Sequence, residues 1–255
     1  MELTDRWMYG NTRGIVERNL QDYFFWGGFP ELNLFVNKRR WLNDLYEKIL
    51  LGDIIQRNKI KNETALRLTL KRLAENIKTP TSFNRLAGMV KATGCSITPT
   101  SIADYIRDCE DACMLFPMEN WASKFVERAT VKKHYFIDNG LLNIFLSDSE
   151  TSLLENLCAV TLYKKSFTDE NYATYFYNKE VEIDFYLPNL KKGIQACYSI
   201  KDDETFEREV RALTAFHKLY GLNEAEIVTY SEETTIEASG LTIHIVPLAK
   251  WLLAL

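Results

Sequence analysis

The chain has 255 residues, 46% hydrophobic and 26% charged, a composition typical of a folded protein of one large or two small domains. Its net charge of -4 is uneven: residues 1–128 hold 19 basic against 16 acidic side chains and residues 129–255 hold 12 against 19, so bulk charge does not favour nucleic-acid binding. No apolar run reaches membrane-spanning length and the opening MELTDRW lacks a signal peptide's apolar core, so we predict a cytoplasmic protein without membrane contact.

The first half of the chain predicts helices followed by two strands. Apolar residues at helical spacing favour a helix from about 37 to 59, after a loop that contains a Gly-Gly pair. Three shorter helices follow, each opened by a residue that can cap it: Asn62, Ser82 and Thr98. Extended stretches come next at 113–118 and 133–138, and this order of three helices and two strands is typical of a winged helix.

The third of these short helices would be the DNA-reading helix of a winged helix. Its single cation, Arg107, stands among four carboxylates: Asp104, Asp108, Glu110 and Asp111. Because such a helix repels phosphates, packing against protein is the preferred interpretation of this module.

The second half predicts a helix, three strands, a helix and two more strands, with a short helix after Pro247. The first helix covers 152–165, and the second begins at Asp202 or Asp203 and ends near Gly221. The predicted strands lie near 172–177, 180–187, 193–200, 225–230 and 241–246.

Acidic side chains in this second half could form a site. The strand 180–187 alternates, so that Glu182 and Asp184 share one face while apolar residues face a core. Glu155 comes from the preceding helix, and Glu155, Asp184 and position 195 could converge on one cleft. Carboxylates in such a cluster suit Mg²⁺, which would activate water for a phosphoryl displacement.

The next strand departs from that chemistry. Gln195 brings no negative charge, and Cys197, two residues later, is a soft ligand that cannot replace a lysine ammonium at neutral pH. Lys201 shares the strand parity of Cys197 and could reach back as a migrated lysine. The alternatives are a capping box between Ser152 and Glu155, a solvent-exposed strand face, and a buried Cys197 that only fills space.

Several spaced motifs in a fixed order resemble a known family. They are WGGFPEL, LYEKILLGDIIQRNKI, KKHYFIDNGLLNIFL, LLENLCAVTLY, EVEIDFYL and IQACY. From about Tyr23 to its end the chain is similar to the C-terminal region of a large prokaryotic group of AAA-type ATP-binding proteins, a domain of unknown function that follows the ATPase domain.

The resemblance implies an α+β fold, with a helical winged-helix-like region followed by a PD-(D/E)XK nuclease-like domain of the restriction-endonuclease-like type. We therefore expect residues 1–40 to link to an ATPase domain outside the chain, residues 41–147 to form the winged-helix-like domain and residues 148–255 to form the nuclease-like domain. The chain is then expected to be a fragment, either truncated or from a shortened gene. ATP would bind only in the absent domain, because Gly10 and Gly14 lack the Gly-Lys-Ser/Thr of a phosphate loop.

The resemblance also assigns positions in the site. It implies that Glu155 is the acid of the first helix and Asp184 the motif aspartate, both candidate metal ligands, while Gln195 stands at the second acid and Cys197 at the lysine. A further departure is Gly52 before Asp53, where the group often has arginine. These replacements imply a module without catalysis.

Three hypotheses follow. The leading one is a non-catalytic C-terminal module of an AAA-type ATPase, without a cofactor of its own, that recognises a protein or nucleic-acid partner. The second is a magnesium-dependent DNA nuclease in which Lys201 replaces the missing lysine. The third is a DNA-binding module that acts through its winged helix.

Overall fold

The computed structural model describes residues 11–255 and confirms the α+β class: a helical region comes first and a mixed six-stranded sheet with helices follows. The described residues divide into two compact units. We call residues 25–119 and 123–149 the helical unit, and residues 11–24, 120–122 and 150–255 the sheet unit. Within residues 11–255 no helix is long and apolar enough to cross a membrane.

The predicted three-domain division stays a prediction. Its first ten residues lie outside the described part of the chain, and its boundary at 40/41 falls inside a helix. Within residues 11–149 the elements are α1 (Asn11–Trp26), a 3-10 helix (Pro30–Leu34), α2 (Lys38–Lys48), a π-helix (Ile49–Gln56), α3 (Glu63–Glu75), β1 (Thr81–Ser82), α4 (Phe83–Lys91), α5 (Pro99–Asp111), β2 (Leu115–Glu119), α6 (Phe125–Thr130), β3 (Val131–Phe136) and α7 (Asn139–Asn143).

Side-chain caps fix the three short helices where the sequence predicts them. The Oδ1 of Asn62 accepts from the N–H of Ala65 at 3.0 Å and opens α3. Ser82 caps α4 in the same way, and Thr98 caps α5 with proline at the first helical position. Strands β1 and β2 both pair antiparallel with β3, which gives a three-stranded sheet of order β1-β3-β2.

The long helix predicted from 37 to 59 changes character halfway. After α2 the backbone widens into the eight-residue π-helix, which ends with the N–H of Ile60 donating to the carbonyl of Ile55 at 3.0 Å. Apolar spacing of three to four residues does not distinguish a π-helix from an α-helix over so short a segment. A π-helical turn arises where a helix accommodates an extra residue, and it often lies at a functional position.

The sheet unit is built on one mixed sheet of order β4-β5-β6-β7-β9-β8. Strands β6, β7 and β9 run parallel, and the outer strands pair antiparallel. Its elements are α8 (Glu150–Ser166), a 3-10 helix (Glu170–Tyr172), β4 (Tyr175–Asn178), β5 (Glu182–Leu187), β6 (Lys192–Ala196), α9 (Asp203–Tyr220), β7 (Glu224–Thr229), β8 (Thr234–Ala238), β9 (Leu241–Pro247) and α10 (Leu248–Ala254).

Helix α9 packs on one face of this sheet. Asp202 caps its start through the N–H of Thr205 at 2.8 Å, and Gly221 ends it at a φ of 67°, both as predicted. Its apolar side chains join the core of the strands, with Leu213 and Phe216 fully buried in that cluster. Strand β8 was not predicted, because its polar sequence TTIEA alternates weakly and only its pairing with β9 makes it a strand.

The strict alternation predicted for the strand 180–187 is wrong, because β5 contains a bulge. Tyr175 pairs with Tyr186 and Tyr177 with Ile183, so β5 has one residue more than β4 between these pairs. As a result Ile183 and Tyr186 both join the core cluster under α9, although a regular strand would place them on opposite faces. Asp184 lies at this irregularity.

Candidate functional site

Asp184 and Gln195 meet across β5 and β6 and close a ring of hydrogen bonds. The N–H of Asp184 donates to Oε1 of Gln195 at 2.8 Å, and Nε2 of Gln195 donates to the carbonyl of Glu182 at 3.1 Å. In return the N–H of Ala196 donates to Oδ2 of Asp184 at 3.0 Å. We call this arrangement the cross-strand ring.

The ring continues the pairing of β5 with β6 beyond Phe185 and Ile194, where the regular ladder between these two strands ends. Gln195 is only 3% exposed, and both its carbonyl and its amide group are bonded to the backbone of β5. A buried amide bonded in this way satisfies backbone groups that would otherwise lose their partners, and its carbonyl is directed at an N–H rather than at a cation. The structure therefore places Gln195 beside Asp184, with both polar groups of Gln195 bonded to the backbone of β5.

Glu155 lies in α8 and is 2% exposed. The predicted capping box with Ser152 does not apply, because α8 already begins at Glu150. Burial raises the pKa of the neighbouring Cys158 thiol, and the carboxylates of Asp184, Glu155 and Glu226 raise it further. The two predicted metal ligands thus act on a common neighbour, yet no three His, Cys, Asp or Glu side chains among residues 11–255 are arranged to hold a metal ion.

Cys197 occupies the position where the resemblance implies a lysine. Its side chain is buried, and its Sγ donates to the carbonyl of Ser199 at 3.2 Å. Burial, with a smaller effect from Glu209, raises the pKa of Cys197 to about 11. The group is a neutral thiol at physiological pH and provides neither a nucleophile nor a cation.

Lys201 is exposed, and its ammonium has no hydrogen bond or ion pair to any residue of the described chain. A cation that interacts with the Asp184 carboxylate is Arg208 in α9: Glu209 raises the pKa of Arg208 most, and Cys197 and Asp184 add to the increase. The migrated-lysine interpretation therefore has no support from the position of Lys201.

Arg208 and Glu209 are the site residues that sequence reasoning missed. Glu209 is 8% exposed, and its carboxylate accepts from Nη2 of Arg208 at 2.6 Å. Burial raises the pKa of Glu209, and the Asp184 carboxylate adds to the effect. A signal existed: Glu209 stands three residues after Phe206 and four before Leu213, so it occupies the apolar face of α9.

Comparison with known proteins adds a family but no activity. Residues 17–152 match a family described as "Domain of unknown function (DUF8612)". The chain is 28% identical over 244 residues to "Uncharacterized protein MJ1544" of Methanocaldococcus jannaschii, a match that covers 91% of this chain and 55% of that protein. The chain thus spans about half the length of that curated relative. No solved structure matches it.

Proposed function

The chain belongs to the family described as domain of unknown function DUF8612, and we propose that it is a non-catalytic recognition module that serves an ATPase domain of the AAA type. In this proposal the sheet unit has the frame of a PD-(D/E)XK nuclease but uses it as a scaffold. The partner is a protein or a nucleic acid, and the chain itself needs no cofactor.

The cross-strand ring is the observation that supports the absence of catalysis. A metal-dependent nuclease of this shape needs a second carboxylate near Asp184, because Mg²⁺ prefers charged oxygen ligands. Gln195 stands there instead and has both its polar groups bonded to the backbone. The lysine position holds the neutral Cys197, and Arg208 is neutralised by Glu209 at 2.6 Å.

The association with an ATPase domain rests on the resemblance of the motifs. The length of MJ1544 is consistent with it, because nearly half of that protein lies outside the match and could contain a further domain. The proposal assigns ATP to such a domain and to no residue of this chain.

The arrangement of the helical unit favours DNA binding through a winged helix as a second candidate function. The order α3-β1-α4-α5-β2-α6-β3, with a sheet of order β1-β3-β2, resembles that of a winged helix with the short helix α6 between its last two strands. The C-terminal half of α5 argues against base reading there, since Arg107 is paired with Asp104 at 2.8 Å and Asp111 is exposed.

A cleavage assay tests the absence of catalysis. The chain is incubated with plasmid, linear and single-stranded DNA in Mg²⁺ or Mn²⁺, beside its Asp184→Asn variant and a restriction enzyme as positive control. We expect no cleavage above the background of the variant. Metal-dependent cleavage that disappears in Asp184→Asn would overturn the proposal, and Arg208→Ala and Lys201→Ala would then identify the cation that assists it.

A further inference from the structure

We propose that the loop after the π-helix binds the phosphate backbone of duplex DNA. We call this segment the basic loop, defined by Arg57 in the last helical residues and by Lys59 and Lys61 beyond the helix end. The inference deepens the proposed recognition function by giving it a nucleic-acid partner, and it can fail while recognition of a protein stands.

The basic loop concentrates unpaired positive charge. Arg57, Lys59 and Lys61 are all exposed, and within residues 11–255 none of their side chains has a hydrogen bond or an ion pair. The nearest acid along the chain, Glu63, is engaged by Nε of Arg67 at 2.7 Å. Asp53 is exposed in the π-helix before the loop. Three cations within five residues therefore face solvent with little local neutralisation, as phosphate binding requires.

The loop is held against the start of α5. Asn62, which follows it, caps α3 and also donates from Nδ2 to the carbonyl of Ser96 at 3.2 Å. The hydroxyl of Tyr105 donates to the carbonyl of Asn62 at 3.4 Å. These bonds tie the C-terminal end of the basic loop to α5 and to the segment that precedes α5.

The neighbouring surface is uncharged and rich in hydroxyl groups. Between residues 91 and 103 the chain has no acidic side chain, and its one cation, Lys91, is exposed. Thr93, Ser96, Thr98 and Thr100 are exposed as well. Lys, Arg, Ser and Thr side chains make most of the sequence-independent contacts of proteins with DNA phosphates, and the carboxylates of α5 begin only at Asp104.

The backbone at Lys59 is a second, independent indication. Its φ is 54°, in the left-handed region where helices usually end on glycine or asparagine. A lysine in this conformation is less stable than glycine, because its Cβ is crowded by the backbone. Residues kept in an unfavourable backbone conformation are frequent at functional positions, and here the retained feature is a cationic side chain at the middle of the loop.

Duplex DNA fits this surface better than a protein partner. Protein interfaces depend on buried apolar and aromatic anchors, whereas every fully exposed residue from Gln56 to Lys61 is polar or charged. The charge pattern contacts phosphates and reads no bases, so binding should be independent of sequence and strongly dependent on salt.

Fluorescence anisotropy with a labelled duplex of about 25 base pairs tests the proposal at several salt concentrations. Arg57→Gln/Lys59→Gln/Lys61→Gln should weaken binding about tenfold or more at low salt and reduce the slope of log K against log salt by about 2 to 3, since each phosphate contact contributes about 0.9. The matched control is Lys164→Gln/Arg211→Gln/Lys218→Gln, which removes the same charge from exposed positions of the sheet unit and should leave binding unchanged.

Lys59→Gly separates the two roles of that position. It should raise the Tm, because glycine suits the left-handed backbone, and still weaken DNA binding a few-fold. The proposal is overturned if the wild-type chain does not bind the duplex, if the basic-loop variant binds it as well as the control does, or if polyglutamate competes as effectively as DNA. Loss of DNA binding with retained binding of a protein partner would refute this inference and leave the recognition module intact.

Discussion

Asp138 in the helical unit and Asp184 in the sheet unit both direct a carboxylate at backbone N–H groups, but different neighbours enforce the two contacts. Asp138 accepts from the N–H of Gly28 at 2.7 Å and from that of Gly140 at 2.8 Å. A Cβ on Gly27 would lie 1.8 Å from Oδ1 of Asp138, so the chain itself is pressed against the carboxylate. Asp184 instead belongs to the cross-strand ring, in which the side chain of Gln195 takes part in two of the three bonds.

The two sites differ in how well they accommodate a substitution. Around Asp138 the close approach of backbone leaves no space for a side chain at Gly27 or at Gly140, so packing within one unit explains both glycines. Around Asp184 the contact instead depends on the amide side chain of Gln195, which bonds to the backbone of β5 and can be replaced without moving the backbone. The helical unit should therefore lose more on a minimal change than the sheet unit does.

The largest effect is expected for Gly27→Ala. Alanine would have to adopt a φ of 82° and displace the Asp138 carboxylate from both N–H groups, which should cost roughly 3 kcal/mol in the free energy of unfolding. Urea denaturation measures it. Gly94→Ala is the matched control, with a φ of 87° and no atom within 4 Å of its Cβ, and should cost only about 1 kcal/mol. Equal losses in the two variants would show that the contact with Asp138 is unimportant.

Acidification should also destabilise the helical unit, through His134. The ring is buried, its Nδ1 has no partner within the described chain, and burial lowers the pKa to about 4. Glu110 lies 3.6 Å from Nε2 and does not offset this burial. Above pH 6.5 the histidine is neutral in both states; between about pH 6.5 and 4 only the unfolded chain binds the proton, so stability should fall by up to about 3 kcal/mol.

Urea denaturation at a series of pH values checks the His134 prediction. His134→Leu should flatten the decline between pH 6.5 and 4, and His244→Gln, at an exposed histidine, should leave it unchanged. A decline that persists in His134→Leu would assign it to the carboxyl groups instead.

A smaller loss is expected for Gln195→Glu in the cross-strand ring. Glutamate supplies the acid that the nuclease resemblance implies at this position, but it cannot donate to the carbonyl of Glu182 and adds a charge beside Asp184. We expect a loss of about 2 kcal/mol by urea denaturation and no gain of metal-dependent cleavage. Gln56→Glu, at an exposed glutamine, should change neither property. A variant that is as stable as wild type and cleaves DNA would show that the ring had only displaced a metal site.

Local chemistry made much of the fold predictable. Asn62, Ser82 and Asp202 cap helices because the cap depends on a few consecutive residues. The apolar stripe of α9 and the end of α9 at Gly221 were predictable for the same reason, since both depend on residues close together in the sequence. Strand β8 and the bulge of β5 were missed, since both depend on pairing with a strand elsewhere in the chain.

The site was predictable as a set of positions but not as chemistry. The sequence indicates that Asp184 and Gln195 stand near each other, yet only the cross-strand register shows that Gln195 bonds to the backbone of β5. Lys201 was a candidate because it has the same strand parity as Cys197. Parity gives the face of a strand but not the distance between the Lys201 ammonium and Asp184. Arg208 and Glu209 were overlooked because the search was limited to the motif of β5 and β6, whereas this ion pair lies on α9.

The π-helix sets the direction in which the basic loop points. An α-helix advances one turn every 3.6 residues, so one residue added to a helix rotates everything that follows by about 100°. The wide turns of Ile49–Gln56 hold such an addition between α2, which is anchored in the helical unit, and Arg57. The segment therefore acts as an angular spacer, and its length determines which side of the molecule presents the cations.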